Sequence, residues 1–197
     1  MAFTKNNTLV ILDWDNTLFP TTWVAKNFIN LHDTETRYKY IDYFTELDDL
    51  IFNLLKKISY KSKVIIVTNA MPLWIKISSC ILPKTQSLLN YIKVVSARKN
   101  FQKVSSDYTE WKKLAFSTEV KNQLNIKNRQ NIISIGDASY EYKALINLYN
   151  KDRILKSMKF LEEPTFDILK DQLEVLSNNI DKVIDYDKHL DLIFKNK

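Results

Sequence analysis

Glycine is almost absent from this chain: Gly136 is the only one in 197 residues. Walker-type and dinucleotide-binding loops need several glycines so that main-chain amides can approach phosphates closely, and neither loop is available here. Cysteine and histidine are nearly as scarce, with Cys80, His32 and His189 as the whole complement. A single cysteine excludes an internal disulfide and fits a reducing compartment, the cytoplasm being the simplest location. So few His and Cys residues also exclude a zinc site built from them, and any bound metal must be held mostly by oxygen. No apolar run approaches the ~18 residues that span a bilayer, and no basic segment leads into an apolar one at the N-terminus. A soluble, non-exported protein without a membrane partner is the expectation.

What is present describes a globular chain. Hydrophobic residues make up 45% and aromatic residues 12%, well away from the composition of disordered sequences. The length suits one domain over residues 1–197, with no linker, repeat or low-complexity segment to divide it. The formal charge is +6, but the 29 Lys and Arg residues are dispersed. That pattern reads first as a solvated basic surface, with nucleic acid or another phosphorylated molecule as the anionic partner it would favour. The oligomeric state is not legible.

Short Val- and Ile-rich runs at Thr8 to Leu12, Lys63 to Val67, Ile92 to Val95, Asn131 to Ile135 and Ile154 to Phe160 read as strands. The first four are apolar on both faces, as strands inside a parallel sheet are. Between them Tyr40, Phe44, Leu47, Ile51, Leu54, Leu55 and Ile58 recur at helical spacing. Pro72 and Pro83 suit the first turns of two short helices, Ser139 suits a cap, and a last helix should begin near Pro164. The alternation predicts an α/β fold, a Rossmann-like three-layer sandwich around a parallel sheet of about five strands. A C-terminal helical segment is expected over roughly 164–197, its tail after Ile184 either docking as a short helix or fraying.

The first strand ends in Asp13-Trp14-Asp15-Asn16-Thr17. Positions i and i+2 of an extended chain project to one side, so Asp13 and Asp15 should emerge together at the carboxyl edge of the sheet, where open parallel sheets bind ligands. Two adjacent carboxylates call for a positive partner, and a hard divalent cation such as Mg²⁺ answers that need. A plainer reading has Asp13 opening a turn and Asp15 or Asn16 capping a helix. The second strand ends in Thr68-Asn69, a hydroxyl and an amide able to hold phosphoryl oxygens. The fourth ends in Gly136-Asp137, with Glu141 four residues on. The lone glycine before an acid suggests a turn that a side chain would obstruct, and makes Asp137 a further oxygen ligand.

With these residues in place, the sequence resembles the haloacid dehalogenase (HAD) superfamily through four ordered motifs over roughly residues 8–160. Asp13 to Thr17 is similar to its D-x-D-x-T motif, Thr68 to the second, and Gly136 to Glu141 to the acidic fourth. Lys112 fits the lysine of the third, with Lys113, Lys99 and Arg98 as alternatives. The resemblance implies a Mg²⁺-dependent phosphomonoesterase in which Asp13 is the nucleophile, forming an aspartyl-phosphate, and Asp15 the general acid and base. It further implies that Asp13, the Asp15 carbonyl and Asp137 hold Mg²⁺, while Thr68, Asn69 and Lys112 bind the phosphoryl oxygens. Thr17 and Glu141 fall outside direct contact; Glu141 either supports the metal waters or is simply an acid in a helix's first turn.

Neither the interval from Thr17 to Lys63 nor that from Asn69 to Lys112 leaves room for a large cap domain. An open site suits a bulky or macromolecular phosphorylated substrate, with Phe19, Trp23, Trp74 and Arg98 as rim candidates or core residues. Trp14, between the two acids, should point away into the core. A response-regulator receiver domain would place its phosphorylated acid after a middle strand, and a D-x-D glycosyltransferase would not need Asp137. A catalytically silent binding or scaffold domain of the same fold and a nucleic-acid end phosphatase remain as alternatives.

Overall fold

A computed structural model describes residues 3–124 and 129–195. The chain alternates strand and helix in the order β1 (Thr8–Leu12), α1 (Thr21–Lys26), α2 (Thr34–Lys39), α3 (Ile41–Lys61), β2 (Lys63–Thr68), α4 (Pro72–Ser79), α5 (Pro83–Leu89) and β3 (Lys93–Ser96). It continues through α6 (Ala97–Phe101), α7 (Tyr108–Gln123), β4 (Gln130–Gly136), α8 (Ser139–Ile146), β5 (Arg153–Lys159), α9 (Phe166–Asp185) and β6 (Leu190–Ile193). The six strands form one sheet in the order β3-β2-β1-β4-β5-β6, every pairing parallel. This is a doubly wound α/β sandwich, as expected, with one strand more than the pattern implied.

The extra strand corrects the reading of the C-terminus. The expected helix runs only to Asp185, and Leu190–Ile193 then pairs with β5 from Lys156↔Leu190 to Lys159↔Ile193. Only Leu190 of β6 is even half-buried, so the run lacks the apolar density that marks β1 and β4. Sheet pairing, not burial, makes it a strand.

Both faces of the sheet are covered, which is why its central strands read as unbroken apolar runs. Val10 and Leu12 face the layer of α3 and α9, in a core with Leu47, Ile51, Leu55, Leu169, Leu173 and Leu176. Leu9 and Ile11 face the layer of α7, in a core with Ala115, Phe116 and Val120. Pro72 and Pro83 stand at the first positions of α4 and α5, where no amide is needed. α8 begins at Ser139 with Ala138 as its cap residue, one position before the cap expected from sequence.

The strand order places a switch point between β1 and β4, since the chain winds outward on one side to β3 and returns to the other side for β4. The flavodoxin-like order 2-1-3-4-5 is a different winding. The carboxyl ends of β1 and β4, Asp13 and Asp137, border this crevice.

Candidate active site

The odd positions of β1 set the direction of the first acid. Leu9 and Ile11 point toward the α7 layer, and Asp13 continues that alternation just past the strand, fixed by an Asp13 N–H bond to the Ile135 carbonyl at 2.9 Å. It meets Lys112 there: Nζ lies 2.7 Å from Asp13 Oδ1, with the lysine fully buried and Asp13 only 3% exposed. The contact is an ion pair without a well-directed hydrogen bond to that oxygen. Lys112 also pairs with Glu141 Oε1, and its ammonium stands 5.0 Å from the centre of the Tyr140 ring.

Lys112 rather than its rivals fills this place because of helix phase. Ala115, Phe116, Glu119 and Val120 form the buried stripe of α7, and Lys112 lies three, four, seven and eight residues before them. Lys113 is off that stripe and pairs with Glu110, while Arg98 and Lys99 are exposed on α6.

Glu141 has two jobs. Oε1 holds Lys112, and Oε2 accepts the Ala138 amide at 3.0 Å, closing the start of α8. Gly136 explains how it fits. The glycine ends β4 without a positive φ, so the expected turn is not made there, although a side chain would be obstructed as the sequence implied. A β-carbon at position 136 would instead fall against the Glu141 side chain, 2.8 Å from its Cδ. The glycine makes room for the acid that holds the lysine.

Asp15 leaves the line of the strand. Thr17, Leu18 and Phe19 direct their amides at the Trp14 carbonyl (3.4, 2.9 and 2.8 Å), winding the chain into a turn with Asn16 at φ 55°. The Asp15 carboxylate is thereby carried to different partners from those of Asp13. Oδ1 accepts from Thr21 Oγ1 at 2.5 Å and Trp74 Nε1 at 2.7 Å, and Oδ2 from Thr68 Oγ1 at 3.2 Å. Thr68 in turn accepts the Ala70 amide at 2.9 Å. The Asn69 side-chain amide donates to the Tyr108 carbonyl at 3.3 Å, and its Oδ1 is buried without a partner. Thr17 is fully buried and donates to Asp137 Oδ1 at 3.4 Å.

Trp14 is wholly buried, stacks on Phe19 at 6.1 Å and donates its indole N–H to Ser78 Oγ at 2.9 Å, so it is a core residue. Phe19 is equally buried, and Trp23 packs among Tyr40, Tyr43, Phe44 and Phe166; neither forms a rim. Thr21 carries no signature visible in sequence, because its part depends on how the turn after Asp15 folds back.

The electrostatics are lopsided. Asp13, Asp137 and Glu141 are buried around one buried ammonium, which leaves two negative charges in excess before the half-buried Asp15 is counted. Burial raises the Asp13 carboxyl from 3.8 to about 7, against the pull of Lys112 and with further push from Glu141 and Asp15. Burial raises Asp137 likewise to about 7, with Asp13 as the main repelling charge. Burial lifts Glu141 too, Lys112 opposing. Burial works against the Lys112 charge, yet Asp13 and Glu141 overcome it and hold the amine above its ordinary range. Both directions follow from one imbalance: the ammonium has two acids to satisfy it, and the acids have one ammonium to share.

A divalent cation has the charge that would balance this set. Among the described residues no three His, Cys, Asp or Glu side chains gather as a metal cluster. The donors that could hold one are the Asp13 and Asp137 carboxylates, whose charges repel each other, hard oxygens of the kind Mg²⁺ takes while retaining water. The hydrogen bond that Asp137 Oδ1 accepts from Thr17 is long, at 3.4 Å, which fits such a use.

Comparison with protein families, curated proteins and solved structures finds no match to the chain. Among the described residues no helix is long and apolar enough to cross a membrane.

Proposed function

We propose that this chain is a HAD-like, Mg²⁺-dependent phosphomonoesterase. The observation that carries the reading is the buried Asp13–Lys112–Glu141 chain beside Asp137, an acid excess at the carboxyl ends of the two strands that flank the switch point.

Asp13 is the nucleophile. Its free oxygen forms a bond to phosphorus while the bond from phosphorus to the leaving oxygen breaks, and Asp15 supplies the proton that oxygen takes up. Water then attacks the aspartyl-phosphate, Asp15 accepts its proton, and inorganic phosphate leaves with Asp13 restored. Thr21, Thr68 and Trp74 aim three donors at Asp15, presenting it as the acceptor that the second step requires. Lys112 orients Asp13 and stays charged throughout, held by Glu141. Thr68 and Asn69 stand at the end of β2, where the transferred group's oxygens would meet a hydroxyl and an amide. Mg²⁺, held by Asp13, Asp137 and the Asp15 carbonyl, would neutralise phosphoryl charge and keep the acids ionised at neutral pH.

The test is release of phosphate from an aryl phosphate with Mg²⁺, compared with Asp13→Asn and with EDTA. Turnover that Asp13→Asn abolishes, and EDTA suppresses, is expected. Equal turnover in wild type and variant refutes the mechanism, and no turnover with any phosphomonoester leaves the fold as a binding or scaffold domain.

A further inference from the structure

The edge of the sheet that bears Asp13 is not evenly charged. On the β5 side Glu162 pairs with Lys159 and Glu163 with Lys26, so acids and bases cancel. On the β3 side the segment that follows the strand carries Arg98, Lys99 and Lys103, all exposed, and among the described residues none of the three forms an ion pair. The acids nearest in sequence are committed elsewhere. Asp107 caps α7 through the Thr109 amide and hydroxyl, both at 2.8 Å, and Glu110 is taken by Lys113. The cations are left for an outside anion.

This segment is tied to the acids by consecutive hydrogen bonds. The Lys99 amide donates to Ser96 Oγ at 3.1 Å, Ser96 Oγ to the Ala70 carbonyl at 2.7 Å, the Ala70 amide to Thr68 Oγ1, and Thr68 Oγ1 to Asp15. Aromatic surface bridges the same interval. The Tyr140 ring lies beside the Lys112 ammonium, and Tyr108 meets Tyr140 edge-on at 6.1 Å. Tyr108 is 57% exposed, and Asn69 holds its carbonyl. A phosphate in the site therefore has beside it an exposed ring and, beyond that ring, cations that form no ion pair among the described residues. Alternating ring and cation is the pattern that binds single-stranded nucleic acid, with bases stacking on aromatic faces and phosphates tracking the charges.

We infer that the substrate is the terminal phosphate of a single-stranded nucleic acid, whose following nucleotides run over Tyr108 to Arg98, Lys99 and Lys103. The inference rests on the phosphatase reading for the reacting phosphate, but the rim is tested apart from it. Binding of a terminally phosphorylated, fluorescent oligothymidylate is measured by anisotropy as a function of salt, using Asp13→Asn so that no turnover occurs. The variants are Tyr108→Ala and the combined Arg98→Ala, Lys99→Ala and Lys103→Ala, with aryl phosphate hydrolysis followed in the Asp13 background.

The combined variant should flatten the log–log salt slope by about 2, as three lost phosphate contacts on a single strand require. Tyr108→Ala should weaken binding at least about five-fold. Both should hydrolyse the aryl phosphate as wild type does. Ribo- and deoxyribo-oligomers with 5′- or 3′-phosphates identify which strand end is preferred. The inference is overturned if the oligomer fails to bind at low salt, if wild type and combined variant bind it alike, or if the rim governs a phosphopeptide and not the oligomer. Rim-dependent binding in a protein with Asp13 intact that releases phosphate from neither the aryl phosphate nor the oligomer would instead refute the phosphatase reading and leave the rim as a nucleic-acid binding surface.

Discussion

Replacing Asp137 by Asn should stabilise the metal-free protein at mildly alkaline pH while removing its response to Mg²⁺. Burial and the neighbouring Asp13 charge carry the Asp137 carboxyl from 3.8 to about 7, and Asp13 undergoes the same rise. Between those values the folded chain retains protons that the unfolded chain has released. The unfolding free energy therefore falls as pH rises through this window, and the loss is complete above the folded value. At about 1.4 kcal/mol per pH unit, one such acid costs the fold about 4 kcal/mol, a ceiling that local relaxation lowers. Removing Asp137 also relieves Asp13 of a repelling charge. Allowing for relaxation, a gain of about 2 kcal/mol at pH values near 8 is expected for Asp137→Asn in EDTA, shrinking toward zero near pH 4. The difference between the two proteins cancels groups that titrate in both. Urea unfolding followed by tryptophan fluorescence measures it. Mg²⁺ should stabilise wild type, more at high than at low pH because protons compete for the same oxygens, and should leave the variant nearly unmoved. A wild-type–variant difference independent of pH, or an equal Mg²⁺ response in both, would refute the reasoning.

Trp74→Phe deletes one donor to Asp15 and keeps the ring; kcat for an aryl phosphate should fall about ten-fold with KM unchanged, as steady-state kinetics will show. Gly136→Ala forces a methyl group against Glu141 and so loosens its hold on Lys112, and thermal unfolding should reveal a loss of about 1–3 kcal/mol together with reduced turnover.

Much of the architecture is legible in the sequence because buried parallel strands need unbroken apolar runs, and β1, β2 and β4 have them. The tail is not, since Leu190–Ile193 is half-buried at best and acquires strand form only by pairing with β5. The choice of Lys112 was open in sequence, yet its phase with Ala115, Phe116 and Val120 already marks a lysine on a core-facing stripe. The partners of Asp15 are a different matter. Thr21 and Trp74 come from two helices that meet only because the chain turns after Asp15, and no local spacing encodes that encounter. That a side chain is obstructed at Gly136 is legible, but its cause is not: the obstacle is a side chain five residues on and not a special backbone angle.

Trp14 separates the two acids, gathers three amides on its carbonyl and fixes its ring against Phe19 and Ser78. The gap between Asp13 and Asp15 is thus set from beneath, by the same contacts that knit the hydrophobic interior. At this position the spacing of the two acids and the packing of the interior share a single fastening, so neither can be altered without the other.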